Sequence, residues 1–180
     1  MGLLNIIGKV SDCSNGGQNL PWISRRVMAL LSGYNHHKYW TRRSIVVNPS
    51  NRTNILLKLY YLFYIKRVDA KHHCSFGTYL NHGAFFATPP FLPHGPNGII
   101  VGNGVSLGKG VILYHQVTIA GGATTIGDHV EFGAGAKVIP DVHIGSHVHV
   151  GANAIVIEDI PDYATVVLQR PRIILKDKNE

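Results

Sequence analysis

From Val101 onward, aliphatic side chains recur at a fixed step of six residues: Val101, Leu107, Leu113 and Ile119. After one step of seven the series resumes through Ile126, Phe132, Val138, Ile144, Val150 and Val156. Glycine follows six of these positions, at 102, 108, 127, 133, 145 and 151. Two residues before each stands a second small or aliphatic residue, such as Ile99, Val105, Val117, Ala136 and Ala154. Neither the helix period of 3.6 nor strand alternation produces this pattern. A hexad repeat predicts a parallel β-helix. Each hexad supplies one short strand and one turn, and three hexads close a triangular coil of about 18 residues. Coils stack at roughly 4.8 Å, the ordinary strand spacing. The aliphatic position points to the axis, and the following glycine tolerates the tight turn.

A weaker echo precedes this run, with Phe76, His82, Thr88 and His94 at step six and Cys74, Leu80, Phe86 and Leu92 two residues before them. It sets the expected solenoid start near residue 74, for four to five coils. The expected organisation is a basic, largely helical extension over 1–73, a β-helix domain over 74–160 and a C-terminal segment over 161–180. In the extension, Trp22–Tyr34 and Arg52–Lys71 read as helices whose apolar faces cap the open end of the solenoid. Docking of the second helix on a membrane surface is the alternative. The step of seven within "IAGGATTIG" reads as a bulge or small turn.

Charge divides along the same boundary. Residues 1–75 hold 11 Lys and Arg against Asp12 and Asp69, whereas residues 76–180 hold 6 against 8 acids. The basic half suits attraction to an anionic partner, either a phosphate-bearing molecule or a membrane surface, or forms a solvated surface. Nucleic-acid binding has no recognition motif to support it. The longest apolar run, Ile55–Ile65, is too short to span a bilayer and holds Lys58. The N-terminus lacks a basic region before its apolar stretch, so no signal peptide is expected, and its Met-Gly matches only the start of a myristoylation pattern. The expected location is cytoplasmic, or at the inner face of the membrane. Cys13 and Cys74 have neither disulfide-framework nor metal-type spacing.

The stretch "LPHGPNGIIVGNGVSLGKGVILYHQVTIAGG", followed by "TTIGDHVEFGAGAKVIPDVHIGSHVHVGANAIVIEDIP", resembles the hexapeptide-repeat acyltransferases, in particular their serine acetyltransferase-like branch. The segment before it, "RVDAKHHCSFGTYLNHGAFFATPPFLPHGPNG", resembles members associated with capsule, lipopolysaccharide or exopolysaccharide assembly. Periodicity does not fix handedness, and the usual crossover rule would give a right-handed coil; the resemblance implies a left-handed one. It also implies acetyl-CoA as co-substrate, a homotrimer with sites between subunits, and the turn histidine, here His94, as general base. An imidazole, with a reference pKa of about 6.5, suits removal of a hydroxyl proton as the acyl bond forms.

Two departures from that pattern bear on the acceptor. Serine acetyltransferases carry an aspartate before the histidine, where this chain has Pro93. They also carry an Asp-Arg-His-Pro loop whose arginine holds the amino-acid carboxylate, and here Gly121–Thr125 closes the gap without charge. The expected activity is therefore an acetyl-CoA-dependent O-acetyltransferase acting on a sugar hydroxyl in surface polysaccharide synthesis. The alternatives are a serine O-acetyltransferase of cysteine biosynthesis and a non-catalytic or zinc-dependent β-helix protein.

His115, one coil beyond His94, is the second candidate base or a substrate-binding residue. Asn81 or a backbone carbonyl is expected to orient His94. Gly121 and Gly122 are candidate backbone donors to the oxyanion. Gly133, Ala134, Gly151 and Ala152 are small enough to admit the pantetheine arm, and Lys137, Arg170 and Arg172 are candidates for its phosphates. His129 and His147, three hexads apart, stack on one face; with His143 and His149 they lack the carboxylate or cysteine set of a metal site, and no metal is expected.

Overall fold

The computed structural model describes residues 33–169. The predicted helix at Trp22–Tyr34, Cys13, Arg170 and Arg172 lie outside the described residues, apart from the last two positions of that helix. The chain divides into two compact units, Met1–His36 and His37–Glu180. The second unit begins with two helices, α1 (His36–Val47) and α2 (Ile55–His72). Two-residue strands follow: β1 (Ser75–Phe76), β2 (Thr78–Tyr79), β3 (His82–Gly83), β4 (Phe85–Phe86), β5 (Ile100–Val101), β6 (Ser106–Leu107), β7 (Ile112–Leu113), β8 (Thr118–Ile119), β9 (Thr125–Ile126), β10 (Glu131–Phe132), β11 (Lys137–Val138), β12 (His143–Ile144), β13 (His149–Val150), β14 (Ile155–Val156) and β15 (Thr165–Val166).

All of these except the β2–β3 hairpin form three parallel faces. Face 1 orders β1-β5-β8-β11-β14, face 2 β4-β6-β9-β12, and face 3 β7-β10-β13-β15. The result is a left-handed parallel β-solenoid of about four turns. The chain visits the faces in the order 1, 2, 3, so three columns of turns form three corners. The hexad aliphatics are the second residue of each strand and point inward. Val101, Leu107, Leu113, Ile119, Phe132, Ile144, Val150 and Val156 are all buried. So are the residues two places before them, including Ile99, Val117, Ala136 and Ala154. Each fully buried aliphatic side chain stabilises the fold by about 1.5–3 kcal/mol, so the axial stack is the core.

From Val101 to Val156 the frame predicted from sequence is the frame observed, including the single longer step. Before Val101 it shifts. Phe76 is inward, but the step along face 1 from Ser75 to its partner Ile100 is longer than the regular coil from Ile100 to Thr118. Two insertions account for the excess. The β2–β3 hairpin lengthens the corner after face 1, and an extended turn lengthens the corner holding His94. The frame resumes with Phe86, level with Leu107, and with Phe91 bridging to Ile112. His82 and His94 therefore lie on the surface instead of in the axial column. At the other end the solenoid runs past the expected limit at residue 160. Ile160 bridges to Ile144 and β15 pairs with β13.

The cap is also reassigned. Helix α1, which carries no regular apolar stripe, covers the open first rung. Its Tyr39 and Trp40 rings pack edge-on against Phe76, with centroids 5.8 and 5.2 Å apart, and Trp40 reaches Phe86 at 4.8 Å. Between them lies Arg43, 3% exposed. Its Nε donates to Thr78 Oγ1 at 3.0 Å, and its Nη2 donates to the Phe76 and Ala84 carbonyls, each at 2.7 Å. The guanidinium also lies 4.5 Å from the Phe86 ring centroid. Burial lowers its pKa to about 10, with Tyr39 and Asp69 opposing, so it remains cationic at neutral pH.

Helix α2 contacts both α1 and the β2–β3 hairpin. Asn54 caps it by accepting from Leu56 N–H, and His73 closes it in the left-handed conformation. Arg42 reaches across from α1 to the Tyr64 ring at 4.2 Å. Tyr39 OH donates to Asp69 Oδ1 at 2.6 Å. Burial raises the Asp69 carboxyl, against the hydrogen bond from Tyr39 and the charge of Lys66. Burial and the adjacent Asp69 push the Cys74 thiol far up, which removes it as a nucleophile.

Arg43→Met leaves three acceptors unmatched at the first rung. It is expected to destabilise the protein by about 3–5 kcal/mol in urea unfolding. The raised Asp69 carboxyl holds its proton longer in the folded state than in the unfolded one, so its contribution is fullest below the ordinary carboxylate value of about 3.9 and declines as pH rises through the native value. The stability of wild type relative to Asp69→Asn is therefore expected to fall as pH rises above about 4, measured by urea titrations at a series of pH values.

Candidate functional site

His94 sits on the corner between faces 3 and 1, where the chain takes a longer path from Leu92 to Val101 than the hexad step. The turn is built by backbone bonds from Gly95 N–H to Leu92 O (3.1 Å) and from Ile99 N–H to Pro96 O (3.1 Å). Gly95 and Gly98 adopt φ of +71° and +68°, a region that disfavours side chains bearing a Cβ. Asn97 locks the turn from both sides of its amide. Its Nδ2 donates to His94 O at 3.0 Å, and its Oδ1 lies 2.9 Å from His72 Nδ1. Gly98 N–H donates to His72 O at 3.0 Å, tying the turn to the end of α2.

The next coil brings His115 to the same corner. His94 Nδ1 and His115 Nδ1 are 3.0 Å apart, with the ring planes inclined at 37°. Tyr114 presents its ring edge-on to His94, centroids 5.5 Å apart. At this separation one Nδ1 can donate to the other, the tautomers setting which. A cleft of about 280 Å³ opens beside the pair, lined by Lys71, His72, His73, Asn97, Gly98, His115 and Gln116. Its charge comes from the C-terminal turn of α2.

The same corner continues down the solenoid. Gly135 N–H donates to His115 O, and Asn153 N–H donates to Ala134 O. Gly133–Ala134 and Gly151–Ala152 are thus stacked in line with the histidine pair. The two glycines are also required by the stacking of the coils. A Cβ on Gly133 would stand 2.6 Å from Ala152 N, and one on Gly151 would stand 3.1 Å from Val166 O. Both face the next coil, so coil stacking sets their size. Lys137 follows this corner on face 1, exposed.

Three expected residues lie elsewhere. Asn81 is on the hairpin, where its Oδ1 accepts from Lys58 Nζ at 2.8 Å, and it lines a separate hollow with Arg43, His82 and Phe85. The hairpin insertion moved it out of the coil position the hexad count assigned, and the side chain found beside His94 is His115. Gly121 and Gly122 lie on the corner between faces 1 and 2. Gly122 N–H donates to Asn103 O at 3.1 Å, which commits that donor to the coil below. His129 and His147 do stack, 5.2 Å apart and 18° from parallel, and Tyr163 extends the stack at 4.9 Å. His149 Nδ1 lies 3.2 Å from Glu131 Oε2. Among the described residues, no three His, Cys, Asp or Glu side chains are grouped to hold a metal ion. Sequence reasoning missed Lys71, Asn97 and His72, because only the folded turn brings the end of α2 against the coil.

Residues 123–158 match the family described as Bacterial transferase hexapeptide (six repeats). The chain is 32% identical over 134 residues to a serine acetyltransferase from Buchnera aphidicola subsp. Schizaphis graminum, an alignment covering 67% of this chain and 51% of that protein. Among solved structures, it superposes on serine acetyltransferase isoform 3 from Entamoeba histolytica in complex with cysteine. The TM-score is 0.54 at 26% identity, over 67% of this chain and 44% of that one. It also superposes on Neisseria gonorrhoeae serine acetyltransferase in complex with serine, with a TM-score of 0.50 at 28% identity, over 63% and 48%. The chain thus spans about half the length of the proteins it matches.

These similarities overturn the expected sugar hydroxyl acceptor and the assignment to surface polysaccharide synthesis, because the relatives are serine acetyltransferases. The sugar acceptor was inferred from an arginine missing from the loop after the Val117–Thr118 strand. A cation does reach the cleft from a distant part of the chain: Lys71, at the end of α2. The chain is a relative of the hexapeptide-repeat transferases, with serine acetyltransferases as its homologues.

Proposed function

We propose that this chain is an acetyl-CoA-dependent serine O-acetyltransferase, the reaction that feeds cysteine biosynthesis. The observation that carries the reading is the His94–His115 pair opening onto a cleft lined by a cation, Lys71, and a carboxamide, Asn97. A small amino acid fits that volume. Lys71 pairs with its carboxylate, and its hydroxyl turns toward His94.

His115 acts as the positioning residue. For His94 to present a basic Nε2, its Nδ1 must carry the proton and His115 Nδ1 must accept it. His115 thereby takes the place of the aspartate that Pro93 replaces. His94 Nε2 removes the serine hydroxyl proton as the oxygen bonds to the acetyl carbonyl carbon. When the carbon–sulfur bond breaks, His94 returns that proton to the departing thiolate. The column of small residues at Gly133–Ala134 and Gly151–Ala152 supports a pantetheine track along the same corner, and Lys137, with Arg170 and Arg172, supports phosphate binding. The exposed side chains of Ile100, Ile139, Ile155 and Ile157, which lie on or next to face 1, support a homotrimer whose neighbouring copy covers them.

Release of CoA from acetyl-CoA in the presence of L-serine tests the reading. His94→Ala is expected to lower kcat by ~10²-fold or more. His115→Ala is expected to lower kcat, and His115→Gln to recover part of the loss, because its carbonyl can accept the His94 proton. Lys71→Ala is expected to raise the KM for L-serine about tenfold with little change in kcat. Equal turnover of L-serine by wild type and His94→Ala would overturn the proposal.

A further inference from the structure

With α1 covering the first rung, α2 is left with an outer face that the cap does not use. Along this helix only Lys58, Ile65, Val68 and Asp69 are buried. Those positions define one side of the helix. The opposite side carries Leu56, Leu59, Tyr60 and Phe63 at the i, i+3, i+4, i+7 spacing of one stripe, with Leu56 72% and Phe63 66% exposed. Arg67 falls on the same line one turn further on, beside Lys66, and Arg52 stands before the helix. All three of these cations are exposed.

The charge around this stripe is one-sided. Among the described residues up to His73 the sole acid is Asp69, and it is buried against Tyr39. No exposed carboxylate is present on these two helices to pair with a like face. Two copies packed through this stripe would set arginines and lysines against each other. The stripe itself is too short to span a bilayer, and no helix among the described residues is long and apolar enough to cross one.

We propose that the outer face of α2 docks on an anionic lipid bilayer surface. Leu56, Leu59, Tyr60 and Phe63 enter the headgroup boundary, and Arg52, Lys66 and Arg67 lie against lipid phosphates. Tyr60 suits that depth, with an apolar ring and a polar tip. Lys66 is held over the Tyr79 ring, 5.1 Å from its centroid, which keeps its charge at the C-terminal end of the stripe. None of these residues lines the His94 cleft, so the docking stands independently of the acceptor.

Flotation of the full chain with vesicles of phosphatidylcholine alone, or with phosphatidylglycerol mixed in, is the test. The chain is expected to float with the anionic vesicles, and salt is expected to release it. Leu56→Ser with Phe63→Ser should abolish flotation, and Lys66→Gln with Arg67→Gln should lower partitioning about fivefold per cation. These side chains are exposed, so circular dichroism of the variants should match wild type. Equal recovery on neutral and anionic vesicles would overturn the proposal, as would unchanged flotation of Leu56→Ser with Phe63→Ser. A larger wild-type assembly that this double variant splits, seen by light scattering without lipid, would overturn it too and assign the face to a second copy.

Discussion

Everything in this molecule depends on how closely one coil can lie on the next. A strand spacing of roughly 4.8 Å leaves no room at the corners for a side chain directed along the axis. A Cβ on Gly102 would stand 2.2 Å from Gly121 N, and one on Gly127 would stand 2.6 Å from Ser146 Oγ. The glycines are therefore a condition of stacking, and the buried aliphatic column is what the stacking achieves. Because the corners are fixed by the backbone, side chains on successive coils meet at set distances. The His94–His115 contact is one product of that regularity, and the His129–His147–Tyr163 stack is another.

A solenoid has an unfinished end, and here the finish is polar as well as aromatic. Arg43 satisfies two carbonyls and a hydroxyl that the first rung would otherwise leave unpaired, while Tyr39 and Trp40 cover its apolar surface. The same helix holds α2 in place through Arg42 and the Tyr39–Asp69 bond. The end of α2 then delivers Lys71 and His72 to the His94 turn. Cap and site are thus linked: the helix that closes the coil holds the helix whose end furnishes one wall of the cleft.

The repeat from Val101 to Val156 was legible because periodic burial writes itself directly into residue type. The His94–His115 pairing was legible for the same reason, since a separation of one coil means proximity. Asn81 was out of reach of the hexad count because the β2–β3 hairpin interrupts that count. Gly121 and Gly122 keep their phase, but the count alone does not say that they lie on a different corner from His94. Helix α1 was hidden because its buried face mixes Tyr39, Trp40 and Val46 with an arginine, so no apolar stripe marks it. The cleft's cation was not legible, because Lys71 comes from a helix whose approach no local pattern records.

The corners also absorb length without disturbing the strands. The stretch of chain from Ser75 to Ile100 is longer than the stretch from Ile100 to Thr118, yet both pairs sit level on face 1. The coil behaves as a ruler whose graduations are strands and whose slack is held at three edges. Material can be added at an edge, as in the His94 turn, with no change in the register of any rung above or below. A residue lost within a strand has no such refuge, since it would carry every later side chain out of phase with the axis. Variation in such a chain is thereby channelled to the edges, where its chemistry already resides.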